Sequence, residues 1–366
     1  MNHSWRNGGA SRPPRREMLI SLLRAATVGN GLPLETFDER AVRWVVDTGL
    51  APLFVRATAR HPEAATSPLW PLLKAADLTA RVLTADQMDA MTEIIDACRD
   101  KAPPLVLLKG ISIADQYYPA PHLRPMRDID LLVERDAVPT IEAILTRLGY
   151  VQPPQRSAEF YAKHHHGAPF VHAETGVWVD VHRRLVASTS ALRADTVFSM
   201  ETLRRELRPS TFRGRPVRRL SDELQIVYLS CHWAQRLQVV GGMVAMVDLT
   251  YLSRNAPDIQ WPRILHWAQD SVSCRSLELL LTYLSRRRLI EVDAEVLQRL
   301  SATQNLLDRL TRDLGHALVD RYVVGGHDFS RLVSERTLGR LWRTLVLRRR
   351  PARRLRRPRA SAPRKV

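Results

Sequence analysis

A pair of aspartates at the start of an apolar run constrains this 366-residue chain more than any other feature. The run is Asp128-Ile129-Asp130-Leu131-Leu132-Val133, and so short an apolar stretch is typical of a buried strand. Side chains alternate between the faces of a strand, so we expect Asp128 and Asp130 to share one face. Two carboxylates about 7 Å apart repel each other unless a cation lies between them. Because hard divalent cations prefer oxygen ligands, the pair predicts a metal site; the alternative is an exposed acid pair at a strand end.

A third acid lies in the middle of another strand pattern. Between Val177 and His182, three valines alternate with Trp178, Asp180 and His182. Asp is depleted from strands, so Asp180 needs an explanation other than sheet formation. If this strand lies beside the first, Asp180 completes a site of three carboxylates. Three carboxylates that hold two metal ions about 3.5–4 Å apart are typical of phosphoryl transfer.

The turn Lys109-Gly110 follows a further apolar run, Leu105 to Leu108, which we predict to be a buried strand. A strand that ends in glycine and enters a helix can present backbone N–H groups to phosphate. Lys109 adds a positive charge at that point. The chain has only five lysines, and this one lies ahead of the aspartate pair.

Together these motifs resemble the nucleotidyltransferase superfamily that includes DNA polymerase β. More specifically, the chain resembles a family of uncharacterised bacterial nucleotidyltransferase-like proteins over residues 20 to 330. Its most specific stretch is Arg124 to Val133. The segments that carry the resemblance are Leu108-Lys109-Gly110, Tyr117-Tyr118-Pro119, Arg124 to Val133, Leu148-Gly149-Tyr150, His165-His166, Asp180-Val181-His182, Leu229 to His232 and Val247-Asp248-Leu249.

The resemblance implies a metal-dependent transferase. A nucleoside monophosphate would pass from an NTP to a hydroxyl of a small molecule, peptide or protein, with release of pyrophosphate. Asp128, Asp130 and Asp180 would be the catalytic residues and would hold two ions, Mg²⁺ or Mn²⁺. Asp180 would also help to deprotonate the acceptor hydroxyl.

The resemblance assigns the nucleotide contacts to the neighbouring residues. Lys109 and Gly110 stand where the superfamily has a Gly-Ser pair on its phosphate loop, and the interval from there to the aspartates is longer than usual. Arg127 would neutralise phosphate charge; for Arg127 and for Arg124, a salt bridge to the acids is the alternative. Arg124 and His182 would lie on the acceptor side or behind the metal ligands.

Two other functions stay open at this stage. The chain could be a non-catalytic protein that uses the same fold to bind a nucleotide, a partner protein or nucleic acid. A cluster of histidines could instead hold a transition metal in a hydrolase, since imidazole suits such ions. Its members are His164, His165, His166, His172 and His182, and their spacing matches no closed zinc pattern.

The order of the patterns predicts an α+β fold with a small mixed sheet between helical regions. We expect a disordered N-terminus over 1–16 and helices over 17–102. A nucleotidyltransferase-like α/β core then covers 103–220, and a helical domain covers 221–347. The last segment, 348–366, is predicted to be a disordered basic tail.

The net charge of +17 is concentrated in that tail, which carries ten Lys and Arg and no acid. We favour a solvated tail over a nucleic-acid tether, because the whole chain prefers Arg to Lys. Three cysteines with no C-x-x-C spacing fit a reducing compartment, so we expect a cytoplasmic protein. No apolar run approaches the ~18–20 residues that span a bilayer.

Overall fold

The computed structural model of the chain describes residues 15–28, 39–59, 61, 65–153, 157–235, 239–269, 271–302 and 306–324. The predicted disordered N-terminus lies outside these ranges, except for Arg15 and Arg16, which begin the first helix. The basic tail over 348–366 and the last part of the predicted helical domain, 325–347, also lie outside them.

Among the described residues, four α-helices precede the sheet. The longest has 29 residues. Its apolar residues recur at helical spacing, and those of its second half pack against one face of the sheet. In chain order they are α1 (Arg15–Val28), α2 (Glu39–Asp47), α3 (Ala51–Thr58) and α4 (Trp70–Cys98).

The described part of the central region contains seven strands and four α-helices. Its elements are β1 (Val106–Leu108), α5 (Lys109–Tyr117), β2 (Ile129–Leu132), α6 (Val138–Arg147), β3 (Tyr150–Val151), α7 (Ala158–Lys163), β4 (Phe170–His172), β5 (Trp178–His182), α8 (Met200–Glu206), β6 (Leu207–Phe212) and β7 (Arg215–Leu220). The strands form one mixed sheet in the order β3-β4-β5-β2-β1-β7-β6. β2 pairs in parallel with β5, and β1 lies antiparallel to β2 on its other side.

The C-terminal part is helical as far as it is described. Its helices are α9 (Asp222–Gln235), α10 (Val239–Asn255), α11 (Trp261–Ala268), α12 (Ser273–Arg286), α13 (Ala294–Ser301) and α14 (Leu306–Leu318), followed by a π-helical turn at Val319–Val324. Among the described residues, no helix combines the length and the apolar character that crossing a membrane requires.

The sheet has a different core on each face. On one face, Leu107, Leu131 and Val179 pack against α4 and α6. On the other face, Leu108 and Leu132 join a larger core that also contains residues of α1 to α3 and of α9 to α12. The helices before and after the sheet therefore share one core, and the division of the chain into separate regions stays a prediction.

The predicted α+β class, with a mixed sheet between helices, is confirmed. The strand pattern at 128–133 is slightly shorter in the structure, where β2 begins at Ile129 and Asp128 lies just before it. The alternation places Asp130 on the face of β2 opposite to Ile129 and Leu131, which are buried.

Candidate functional site

The pairing of β2 with β5 brings acids from distant parts of the chain together. In the parallel register, Asp130 lies opposite Asp180, and Leu132 lies opposite His182. Residues directly opposite each other on paired strands, and residues two apart on one strand, have side chains on the same face. Asp130, Asp180 and His182 therefore point to the same side of the sheet. The structure therefore places the two acid-bearing strands side by side, as the sequence predicts.

Asp130, Asp180 and His182 form a group that can hold a cation. One possible ligand atom from each lies within 4.8 Å of the others. No other such group of His, Cys, Asp or Glu occurs among the described residues, and the carboxylate of Asp128 is not part of it. The predicted ligands were Asp128, Asp130 and Asp180; the geometry adds His182 and leaves Asp128 beside the group.

Asp130 is the most heavily engaged of the three acids. Its Oδ1 accepts a hydrogen bond from Lys109 Nζ at 2.8 Å and lies 2.6 Å from His182 Nε2. Burial alone would raise the pKa of Asp130, but Lys109 and His182 outweigh it and hold that pKa well below its usual range. Asp130 is therefore ionised even though it is almost completely buried.

Asp128 and Asp180 are in the opposite situation. Within the described part of the chain, neither carboxylate accepts a hydrogen bond from any residue. The charge of Asp130, together with burial and Asp180, raises the pKa of Asp128 to about 7. Burial and the charge of Asp130 raise the pKa of Asp180 to about 6. We call Asp128, Asp130 and Asp180, with Lys109 and His182, the acid centre.

Lys109 reaches the acid centre from the turn between β1 and α5. Its backbone has φ of +42°, a left-handed conformation that is costly for any residue except glycine. Burial works against its charge, but Asp130 raises the pKa of Lys109 above the usual value, so the ammonium is retained. The predicted phosphate-binding lysine therefore contacts a carboxylate in this structure.

Gly110 follows at the start of α5, packed against a side chain. A Cβ on Gly110 would lie 2.7 Å from Nη1 of Arg124, and 3.3 Å from Cγ of Met126. Glycine thus allows the guanidinium of Arg124 to approach the turn. No side chain caps the N-terminus of α5 among the described residues, so its first N–H groups have no side-chain acceptor there.

Arg124 forms a buried ion pair with Asp248 of α10, although its charge also acts on Asp128. Its Nε and Nη2 donate to Oδ1 and Oδ2 of Asp248, both at 2.8 Å. The hydroxyl of Tyr118 donates to the same Oδ1 at 2.8 Å. We call these three residues the Arg124 network. Its geometry matches the salt-bridge alternative, although the partner is not one of the acids near Arg124 in sequence.

Arg127 is the one predicted phosphate contact that lies open to solvent. No described residue forms an ion pair with it, so its guanidinium is available to an incoming ligand. His182, in contrast, is completely buried. Burial and the charge of Lys109 lower the pKa of His182 to about 4, so its imidazole is neutral at pH 7.

The histidine run lies beside the acid centre. His166 forms a β-bridge with His182, and the rings of His165 and His182 lie 4.9 Å apart. His166 Nδ1 lies 2.7 Å from the carbonyl oxygen of Gly167. In the part of the chain that the structure describes, only His182 joins a group able to share an ion, so the five-histidine metal site has no geometric support.

Sequence analysis missed two contributors. Tyr228 of α9 is buried near the acid centre, where the charge of Lys109 acts on its hydroxyl and burial raises its pKa to about 12. Asp248 of α10 lies in a segment that carries the resemblance, but the sequence predicted no role for it. An aspartate in an apolar helix indicates a buried charge that needs a partner of opposite charge. The sequence does not show which residue that partner is.

The residues present fit a divalent cation. Two of the three carboxylates, those of Asp128 and Asp180, accept no hydrogen bond and form no ion pair within the described residues, and their pKa values are raised in spite of the charge of Lys109. A carboxylate-rich donor set with one imidazole suits Mg²⁺ or Mn²⁺.

The comparisons agree with this chemistry. A family model described as an uncharacterised nucleotidyltransferase matches residues 36–289, which is more than half of the chain. No curated protein and no solved structure matches the chain. The matched range contains the whole acid centre and the sheet that positions it. The chain therefore belongs to this family of uncharacterised nucleotidyltransferases.

Proposed function

We propose that the protein is a metal-dependent nucleotidyltransferase that transfers a nucleoside monophosphate from an NTP to a hydroxyl. The observation that carries the proposal is the surplus of carboxylates at the paired strands β2 and β5, with Asp130 buried and Asp128 and Asp180 partly buried, in a chain of this family. The same strand pairing supports a relationship to the superfamily of DNA polymerase β. The acceptor would be a small molecule, a peptide or a protein.

Asp130, Asp180 and His182 would hold a divalent cation, with Asp128 beside them as a further ligand. When bound, Mg²⁺ or Mn²⁺ supplies charge neutralisation at the reacting phosphate. The sheet supplies the rigid placement, because Asp130 and Asp180 are fixed by backbone pairing rather than by a loop.

The proposed reaction is a displacement at the α-phosphorus. The acceptor oxygen forms a bond to that phosphorus, the bond to the bridging oxygen breaks, and pyrophosphate leaves with the bonding electrons. The hydroxyl proton passes to Asp180. This residue is half-buried and accepts no hydrogen bond within the described part of the chain, so its carboxylate is free to take the proton.

The nucleotide phosphates would lie at the start of α5. The uncapped N-terminus of this nine-residue helix offers N–H groups and the positive end of the helix dipole. Arg127 is exposed and would contact the triphosphate, and Lys109-Gly110 shapes the turn below it. His182 would support the ligand group through its contact with Asp130.

We also propose a cytoplasmic location. Cys98, Cys231 and Cys274 are buried free thiols. Burial raises the pKa of Cys98 to about 11, so this thiol is protonated and unreactive. Reduced, unpaired cysteines are typical of a reducing compartment.

The experiment is a transfer assay that does not require the acceptor to be known. Purified protein is incubated with each α-³²P-labelled NTP, Mg²⁺ or Mn²⁺, and separate pools of small molecules, proteins and RNA. We expect label to move into one pool with release of pyrophosphate. The Asp128→Ala/Asp130→Ala variant should transfer none, and transfer that survives it would refute the assignment.

A matched control is available in the same segment. Glu134 and Asp136 have the same acid-x-acid spacing but are exposed. The Glu134→Ala/Asp136→Ala variant loses two charges without touching the acid centre, so its transfer should equal that of the wild type.

A nucleotide-binding protein without transfer activity is the second candidate. The observation that favours it is the contact of Lys109 with Asp130, where a lysine ammonium already neutralises part of the site. This candidate predicts that NTP binds, measured by calorimetry, while no label moves into any pool.

A further inference from the structure

Lys109 is placed where a cation would be expected to act. Its Nζ lies 2.8 Å from Oδ1 of Asp130, and its side chain is only 14% exposed. Asp130 lies opposite Asp180 in the parallel register, so the ammonium of Lys109 lies on the face of the sheet that carries both carboxylates. The ammonium therefore supplies positive charge at a position where a bound metal ion would supply it.

The backbone of Lys109 is in a conformation that glycine adopts more easily. Lys109 has φ of +42°, and glycine would occupy such a position at lower cost. The residue that follows, Gly110, is in ordinary helical conformation at the start of α5. The fold thus accepts a strained lysine at the very position where its ammonium meets Asp130.

The charge of the acid centre leaves room for one more cation. Arg124 is paired with Asp248, so the three carboxylates, when ionised, carry two more negative charges than Lys109 supplies. A single divalent ion balances that remainder. The only group of ligand atoms that can share an ion in the described chain is Asp130, Asp180 and His182.

We propose that Lys109 replaces the second metal ion of this site, so that the protein binds one divalent cation where three carboxylates would otherwise bind two. The ammonium is a permanent cation held by Asp130, and the single ion binds toward Asp180. This inference rests on the proposed metal dependence and revises the expectation of two ions.

The experiment counts ions on the untagged full-length protein after removal of metal. Mn²⁺ alone is titrated, and free Mn²⁺ is measured by electron paramagnetic resonance. Two variants remove the ammonium: Lys109→Gly, which also relieves the left-handed backbone, and Lys109→Met, which keeps the bulk of the side chain. Lys101→Met removes an exposed lysine as the matched control, and circular dichroism checks that each variant is folded.

We expect one Mn²⁺ per chain for the wild type and for Lys101→Met, and two for both Lys109 variants. Two ions in the wild type, or one ion in both Lys109 variants, would overturn the inference while leaving the metal site and the proposed function in place. No binding by any of these proteins would overturn the inference and the metal dependence together. Asp180→Asn should reduce Mn²⁺ affinity at least tenfold, which ties the counted ion to the acid centre.

Discussion

The acid centre and the Arg124 network are two buried ionic clusters in one protein, and they are built on opposite principles. In the Arg124 network, the two oxygens of Asp248 accept two hydrogen bonds from Arg124, each 2.8 Å long, and one from Tyr118. In the acid centre, three carboxylates face one ammonium. Two of them accept no hydrogen bond within the described part of the chain.

The difference separates a structural ion pair from a functional site. A buried pair with matched charges and complete hydrogen bonding joins two elements and needs no ligand. A buried surplus of one charge is costly by itself and becomes favourable only when a counter-charge binds. Charge balance therefore points to the acid centre as the reactive part of this face of the sheet.

The strongest test of the comparison removes one acid from the acid centre. Asp130→Asn keeps the shape of the side chain but removes the charge that meets Lys109 and would hold the cation. We expect transfer to fall by ~10³-fold or more, about 4 kcal/mol in transition-state free energy. Steady-state kinetics with the acceptor pool that the transfer assay identifies would measure this loss. A variant whose transfer rate is within tenfold of the wild-type rate would contradict the role of Asp130.

The corresponding change in the Arg124 network should act on stability instead. Asp248→Ala leaves the guanidinium of Arg124 buried without its partner, which costs about 3 kcal/mol of unfolding free energy. Denaturant unfolding monitored by circular dichroism measures that loss. Where Asp248→Ala is still folded, its Mn²⁺ stoichiometry should be unchanged, and loss of the bound ion would show that the two clusters are not separate.

Metal ions should distinguish the two clusters without any substitution. A cation that binds only the folded state stabilises it by about 2.7 kcal/mol at one hundred times its dissociation constant. We therefore expect Mn²⁺ to raise the Tm of the wild type and of Asp248→Ala by similar amounts. A thermal shift that persists in Asp130→Ala/Asp180→Ala would place the ion elsewhere.

Removing surplus charge should stabilise the metal-free protein. The folded state raises the pKa of Asp180 to about 6, so folding binds its proton more tightly and loses stability as the pH rises from about 4 to 6. Asp180→Asn lacks that penalty, and we expect its metal-free Tm at pH 8 to exceed that of wild type by roughly 1–2 °C, about 1 kcal/mol after allowance for partial exposure. The gain should vanish near pH 4, and equal values at pH 8 would contradict the charge surplus.

The smallest effect on stability is expected at Arg127. This residue is exposed and unpaired within the described chain, so Arg127→Ala should change the unfolding free energy by less than about 0.5 kcal/mol. Its proposed contact with the triphosphate predicts a higher KM for NTP with little change in kcat. An unchanged KM would remove Arg127 from the nucleotide site.

Much of the fold near the site was predictable because its signals are local. The alternation of acids and apolar residues at 128–133 and 177–182 indicated strands with one polar face, and β2 and β5 have that form. The position of Asp128 just outside β2 was not predictable, since strand ends depend on pairing with neighbours. The short apolar run before Lys109 likewise became β1.

The contacts of the charged side chains were not predictable from local patterns. Lys109 was expected to face phosphate, and its contact with Asp130 depends on how β1 and β2 are aligned. Arg124 and Asp248 are 124 positions apart. Arg124 lies between α5 and β2, and the packing of α10 against α5 brings Asp248 close to it. A sequence shows that a buried charge needs a partner, whereas the tertiary structure decides which partner it has.

The most direct measurement of the central claim is anomalous diffraction from crystals of the full chain soaked with Mn²⁺. A surplus of buried carboxylate predicts an anomalous peak bonded to Asp130 and Asp180, with Lys109 still in contact with Asp130. No peak at the acid centre at saturating Mn²⁺ would contradict the account, since the surplus charge would then have no ligand to balance it.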